Sequence, residues 1–181
     1  MPLTSLGWIS IAEGESMAAE KPKSTGQHVE QVWETPSHDE IVDLTKVHIE
    51  AMKMTNDDMV WIQAGMHHVL LTTVGRKSGK EHNVALPTWK DSNGVRVVVA
   101  SFAGADKHPS WFLNLCDEKA NPRLLCQVQT GKFWSEPEVL EGEERDLIWR
   151  QLCADRAWYE NYQNRTNRVI PLVRLPETEE I

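Results

Sequence analysis

The chain has few of the residues that announce a chemistry on their own. Its 181 residues hold only three cysteines, Cys116, Cys126 and Cys153. An odd number without C-x-x-C spacing suggests neither a disulfide framework nor a zinc site. No stretch approaches the roughly 18 apolar residues a spanning helix needs, and the start lacks the basic and apolar regions of a secretory signal, so a soluble, cytoplasmic chain is expected. There is no G-x-S-x-G elbow, no metal-ligand cluster and no Cys-His pair in a recognisable context. His67-His68 is a metal pair only superficially, because neighbours on a strand point to opposite faces. Positive charge is also scarce: 19 Lys and Arg stand against 27 Asp and Glu, a formal net charge of -8. General affinity for nucleic acid is therefore not expected.

Against that background one turn stands out. Gly75-Arg76-Lys77-Ser78-Gly79-Lys80 gathers three cations and two glycines between two strand-like runs. Glycine lets the backbone bend and expose N–H groups, and Arg, Lys and Ser add donors suited to phosphate or carboxylate. Two readings fit these six residues: a local anion site, or a solvated hairpin turn whose lysines serve solubility.

Length and composition give one globular domain, residues 37–181, behind a mobile arm, residues 1–36, that lacks steady periodicity. An apolar patch in the arm, Leu6, Trp8, Ile9 and Ile11, could dock on a partner subunit or touch the inner face of the cell membrane. Ser37-His38-Asp39-Glu40 fits a capping box, and Ile41, Leu44, His48, Ala51 and Met52 follow at helical spacing, so a first helix is expected to about Thr55. Residues 67–74, 82–89 and 95–101 read as strands of an antiparallel meander, the last buried on both faces.

Pro109 then suits the start of a helix carrying Trp111, Phe112, Leu113 and Leu115. Being apolar nearly all round, that helix is buried or walls a pocket that a flat ligand completes. Residues 124–128 and 133–140 add two β segments. Residues 141–154 form a second amphipathic helix with Leu147, Ile148 and Leu152 facing inward. In the closing segment, residues 155–175, both tyrosines of the chain, Tyr159 and Tyr162, sit three apart. That spacing puts them on one helix face, either offering two hydroxyls to one space or packed by their rings with the hydroxyls in water.

The runs Leu70-Leu71-Thr72-Thr73-Val74-Gly75-Arg76-Lys77-Ser78-Gly79 and Ala103-Gly104-Ala105-Asp106-Lys107-His108-Pro109-Ser110-Trp111-Phe112-Leu113-Asn114-Leu115, with Tyr159-x-x-Tyr162-Gln163 and Ile170-Pro171, resemble the deazaflavin-dependent nitroreductases. These are actinobacterial enzymes that use reduced coenzyme F420. The resemblance covers residues 67–175. It implies an α+β fold, a split β-barrel related to the flavin-binding reductases, of mainly antiparallel strands with flanking helices.

It also implies coenzyme F420 itself, an 8-hydroxy-5-deazaflavin with a phosphate and an oligoglutamate tail. By resemblance, Arg76, Lys77, Ser78, Gly79 and His82 hold the phosphate and tail, and Ser101, Gly104, Ala105 and Asn114 line the ring. Tyr159 and Tyr162, with Ser101 as a further donor, hydrogen-bond a small-molecule redox substrate, while Phe102, Trp111 and Trp158 wall its pocket. The superfamily is often dimeric, which implies a homodimer.

The sequence departs from the family at Phe102, where Lys is common, at Ala103 (Gly), His82 (Arg), Pro87 (an aromatic) and Arg156 (a tyrosine). These changes weaken tail binding and make the pocket more apolar. A quinone, an enone or another activated alkene is the expected substrate, rather than a nitroimidazole. Two other classes fit parts of the pattern: a barrel binding FMN or a haem-derived ligand through the same phosphate turn, and a non-catalytic carrier of a lipid or other apolar molecule.

Overall fold

The structure, a computed structural model, describes residues 27–181. The patch at Leu6, Trp8, Ile9 and Ile11 lies outside them. Helix α1 (His38–Met54) starts where its capping box dictates: the Glu40 backbone N–H donates to Ser37 Oγ, and the Glu40 carboxylate accepts from the Ser37 N–H at 2.8 Å. Two otherwise orphaned donors are thereby satisfied. A short α2 (Asp58–Trp61), capped by Asp57, turns the fully buried Trp61 inward and leads into β1 (Ile62–Gln63).

Strand β2 (Met66–Val74) is the spine of the larger sheet. It pairs with β1, with β3 (Glu81–Pro87) over seven residue pairs, and with β6 (Leu124–Val128). Beyond β6 lie β7 (Gly131–Ser135) and β10 (Glu179–Glu180). A smaller sheet has the order β4 (Trp89–Lys90), β5 (Arg96–Val99), β9 (Leu172–Leu175), β8 (Glu138–Val139). Every pairing is antiparallel. The fold is mixed α+β built on antiparallel sheets.

The expected meander ends at β3. Thr88 closes the first sheet, its N–H and hydroxyl both donating to His67 O, at 2.8 and 3.1 Å, and the chain then enters the second sheet. There β5 pairs with β9, a strand the sequence reading lacked, through four residue pairs. Four residues following a proline carry little local strand signal; partners more than seventy residues away decide the pairing, Arg174 opposite Val97 and Val173 opposite Val98. The expectation that this run is buried on both faces holds, for Val97, Val98 and Ala100 are fully buried.

Alternate residues of β5 feed two cores. Val98 and Ala100 join Val69, Leu71, Leu124, Cys126, Phe133 and Val173 between the two sheets, together with Trp111 and Phe112 of α3 (Ser110–Leu115). Val97 and Val99 join Trp89, Ile148, Leu152, Trp158, Tyr159 and Tyr162, contributed in part by α4 (Gly142–Asp155) and α5 (Trp158–Gln163). On α4 the inward stripe is Arg145, Ile148, Leu152 and Asp155; Leu147, expected inside, is instead 45% exposed, because that polar-flanked stripe rotates it outward.

Residues 27–36, expected within a mobile arm, lie against the domain. Gln27 exchanges hydrogen bonds with the Lys90 backbone, and the Val29 N–H donates to Asp155 O. Trp33 packs edge-on against Trp158 at 5.2 Å. Apolar burial of Val29 and Trp33 against the α4–α5 core supplies what a sequence scan without periodicity could not weigh.

Candidate cofactor and substrate site

The basic turn joins β2 to β3 and is tied to α3. Asn114, buried on α3, accepts from the Arg76 backbone N–H at 3.3 Å and from Arg76 Nη1 at 3.1 Å, and donates to Thr73 Oγ1 at 3.2 Å. Asn121 adds a second brace, pairing with both backbone groups of Val74 and donating to Asn114 O. Ser78 Oγ lies 3.0 Å from His82 Nε2. A Cβ at Gly75 would stand 2.4 Å from Ser78 Oγ and 2.7 Å from His82 Nε2, so a larger residue there would have to displace this pair. Gly79 adopts φ +65, the left-handed region that favours glycine. Arg76, Lys77, Ser78, Gly79, Lys80 and His82 are all exposed. Positive charge is thus presented to solvent on a rigid turn.

The loop after β5 is the most strained segment among the described residues. Phe102, Ala103 and Gly104 have φ of 43, 51 and 81 in succession. A non-glycine residue there costs on the order of 1–2 kcal/mol, so the conformation must be held from outside. Gly104 presses on α5, where a Cβ would come within 2.5 Å of Tyr162 O. Two arginines beyond α5 complete the hold. Arg165 Nη1 donates to Ala103 O at 3.4 Å, and Arg168 donates to Ala100 O, Ser101 O and Ala105 O.

A cavity of about 740 Å³ opens beside this loop, between residues 35–38 and residues 102–107, with Arg165 contributing. Its size suits a drug-sized or cofactor-sized ring system. Phe102, Gly104 and Ala105 line it, and His38 stacks near Phe102 at 4.8 Å. Thr35 lines it too, and its hydroxyl meets Tyr162 Oη at 3.3 Å. Tyr162 therefore stands directly behind the wall.

The two tyrosines share a helix face, with ring centroids 5.9 Å apart, but their hydroxyls have different company. Tyr159 is 3% exposed. Burial raises its pKa, and the Arg156 guanidinium beside it pulls the other way. Arg156 is itself buried, donating from Nη2 to Thr88 O at 2.7 Å. Trp158 is packed beneath Trp33 in the same core, whereas Trp111 lies in the core on the other side of β5. The structure thus brings Phe102, Gly104 and Ala105 to one cavity, sets Tyr162 behind it, and joins Arg76 to Asn114. It does not bring Trp111 to Trp158 and the tyrosines.

Groups outside these segments are chemically quiet. Burial pushes the Cys126 and Cys153 thiols up to about 12, so neither is a nucleophile at neutral pH. His67 points out and His68 in, as strand alternation requires, and no group of metal-ligating side chains occurs among the described residues. Sequence reasoning did not single out Arg165 and Arg168, which lie between α5 and β9 and hold the strained loop, or Asn121, which braces Val74 and Asn114. Only their long-range contacts reveal them, because a polar residue in a connecting segment has no local signature.

A model of the F420H(2)-dependent quinone reductase family matches residues 44–177. The chain belongs to that family. Similar proteins include an F420H(2)-dependent quinone reductase of Mycobacterium tuberculosis, 32% identical over 110 residues, which cover 59% of this chain and 71% of the relative. A putative F420H(2)-dependent quinone reductase of the same organism is 32% identical over 107 residues, covering 59% and 87%. Among solved structures, an F420-H2 dependent reductase (FDR-A) is 38% identical with a TM-score of 0.51, covering 60% of this chain and 93% of its own. A domain-swapped dimer is 32% identical with a TM-score of 0.53, covering 77% and 100%. The matched span takes in the basic turn, the strained loop and α5 together.

Proposed function

We propose that this protein is an F420H2-dependent reductase acting on a quinone, an enone or another activated alkene. The observation that carries the reading is a rigid, exposed cationic turn in an acidic family member, linked through Asn114 to the helix that follows a cavity-lining loop. Those features suit the two ends of coenzyme F420, an anionic tail and an apolar tricycle. Arg76, Lys77, Ser78, Gly79 and His82 would hold the phosphate and tail. Ser101, Gly104, Ala105 and Asn114 would face the ring.

When bound and reduced, the deazaflavin supplies a hydride from C5. The chain's own part is to bind, orient and supply hydrogen bonds. Tyr162, whose hydroxyl reaches Thr35 at the cavity wall, is the donor best placed for a substrate carbonyl oxygen. Tyr159 supports it from behind, and Phe102 gives the cavity the apolar surface a quinone needs. Trp158 shapes the pocket through Tyr159, and Trp111 through its packing on α3.

The two sheets packed over a shared core support the finer description of a split β-barrel forming one domain from residue 37. The domain-swapped relative supports a homodimer. No described helix is long and apolar enough to cross a membrane; we place the enzyme in the cytoplasm.

The test is oxidation of reduced F420 by menadione with the purified protein. Turnover with reduced F420, and none with NADPH or reduced FMN, is expected; the reverse preference would refute the reading. Arg76→Ala with Lys77→Ala should weaken F420 binding at least tenfold in a fluorescence titration, given about 1.5–3 kcal/mol per charge-assisted contact.

A further inference from the structure

Three carbonyls of the strained loop converge on one side chain. Arg168 Nε donates to Ala105 O at 2.7 Å, Nη1 to Ala100 O at 3.1 Å, and Nη2 to Ser101 O at 2.7 Å. All three guanidinium nitrogens are engaged, and their acceptors bracket the left-handed residues Phe102, Ala103 and Gly104. Nη1 also meets His108 Nδ1 at 3.2 Å, where the imidazole nitrogen acts as acceptor. Without the guanidinium, the Ala100 and Ala105 carbonyls would lose their arginine donor and Ser101 O would keep only the Gly104 N–H at 2.9 Å, and Phe102 and Ala103 would be free to return to negative φ.

Arg168 is in turn fixed from α5. The Gln163 side chain accepts from the Ile170 N–H at 2.9 Å and donates to Arg168 O at 2.7 Å, so the backbone on both sides of Val169 is clamped to the residue after Tyr162. The loop and the tyrosine helix are therefore set against each other through one arginine.

We propose that Arg168 is a positioning residue, whose forked guanidinium holds residues 100–105 in the conformation that forms the wall for the cofactor ring. The role depends on the fork. A lysine offers one point charge and cannot serve three separated carbonyls. The inference rests on the reading that this loop faces the deazaflavin, but its hold on the loop is measurable without any cofactor.

Hydrogen exchange of the backbone amides of residues 101–105 in the cofactor-free protein tests the hold directly. Arg168→Gln should speed their exchange at least tenfold, and Arg168→Lys should do so by less. Coenzyme F420 affinity, titrated by fluorescence, should fall in the same order. Adding Ala103→Gly to Arg168→Gln should recover binding roughly fivefold, because glycine adopts positive φ without the Cβ penalty. A role confined to general stability would show no such recovery.

Unchanged loop exchange in both Arg168 variants, or no rescue by Ala103→Gly, overturns the proposal. If Arg168→Gln fails to fold, Arg168→Lys with and without Ala103→Gly decides the same question. If the unmodified protein does not bind F420 at all, the functional reading fails, while the exchange result still decides whether Arg168 holds the loop.

Discussion

The two faces of β5 carry the same kind of valine into different surroundings. Val98 faces a mainly apolar core of Val69, Leu71, Leu124, Cys126, Phe133 and Val173, where both sheets meet and the Arg96 guanidinium lies over the Phe133 ring. Val97 and Val99 face a core threaded with polar groups: Trp89 Nε1 donates to Asp155 Oδ2 at 2.8 Å, Tyr159 lies beside buried Arg156, and His68 bonds Met66 O through Nδ1. The cavity-side loop reaches this second core through Ala103, and residues 27–36 cover it. The difference teaches where precision is kept. Dispersion packing is enough to hold two sheets together, whereas fixing a loop and a helix in one geometry takes directional bonds.

The comparison can be broken most directly at Asp155, which is fully buried. Asp155→Ala orphans the Trp89 indole N–H and removes a negative charge beside Arg156. It should cost about 4 kcal/mol in denaturant unfolding. A loss below about 1 kcal/mol would mean the polar side is no more demanding than the apolar one.

A second test uses pH. Burial and the neighbouring His48 depress the His68 pKa from 6.5 to about 4. Below pH 6.5 the unfolded chain takes up a proton that the folded protein refuses until about pH 4. This contribution to stability is therefore complete above pH 6.5 and is lost as pH falls to about 4, by roughly 3 kcal/mol. His68→Gln should flatten that part of the pH–stability curve; an unchanged slope would remove His68 from the account.

Val98→Thr sharpens the contrast by placing a hydroxyl in the apolar core at nearly constant volume. A cost of about 2 kcal/mol is expected, with F420 binding retained by the folded protein. The smallest effect is expected outside both cores. Lys46→Ala removes an exposed pair with Asp43, 2.9 Å apart on α1, and should leave the melting temperature unchanged within error.

Local patterns were legible where a few adjacent residues make the whole signal. The capping box at Ser37, the turn between β2 and β3, the buried α3 and the alternation at His67 and His68 all belong to that class. The shift of Leu147 to the surface was not legible, because an arginine and an aspartate occupy the inward stripe of α4 in a way that only their partners explain. Nor was strand β9, whose role exists only through β5 and β8.

By itself the sequence determined the chemistry on offer: a cationic, glycine-flanked turn in an acidic chain, and motifs in the order of a deazaflavin-using family. Tertiary structure alone decided which groups act together. It put Trp111 and Trp158 in separate cores, buried both tyrosines while bringing the Tyr162 hydroxyl to the cavity-lining Thr35, and brought Arg168 to three carbonyls more than sixty residues away. Composition and short spacings set what a side chain can do. Long-range strand pairing and burial set where it stands, and neither is encoded in any window of neighbouring residues.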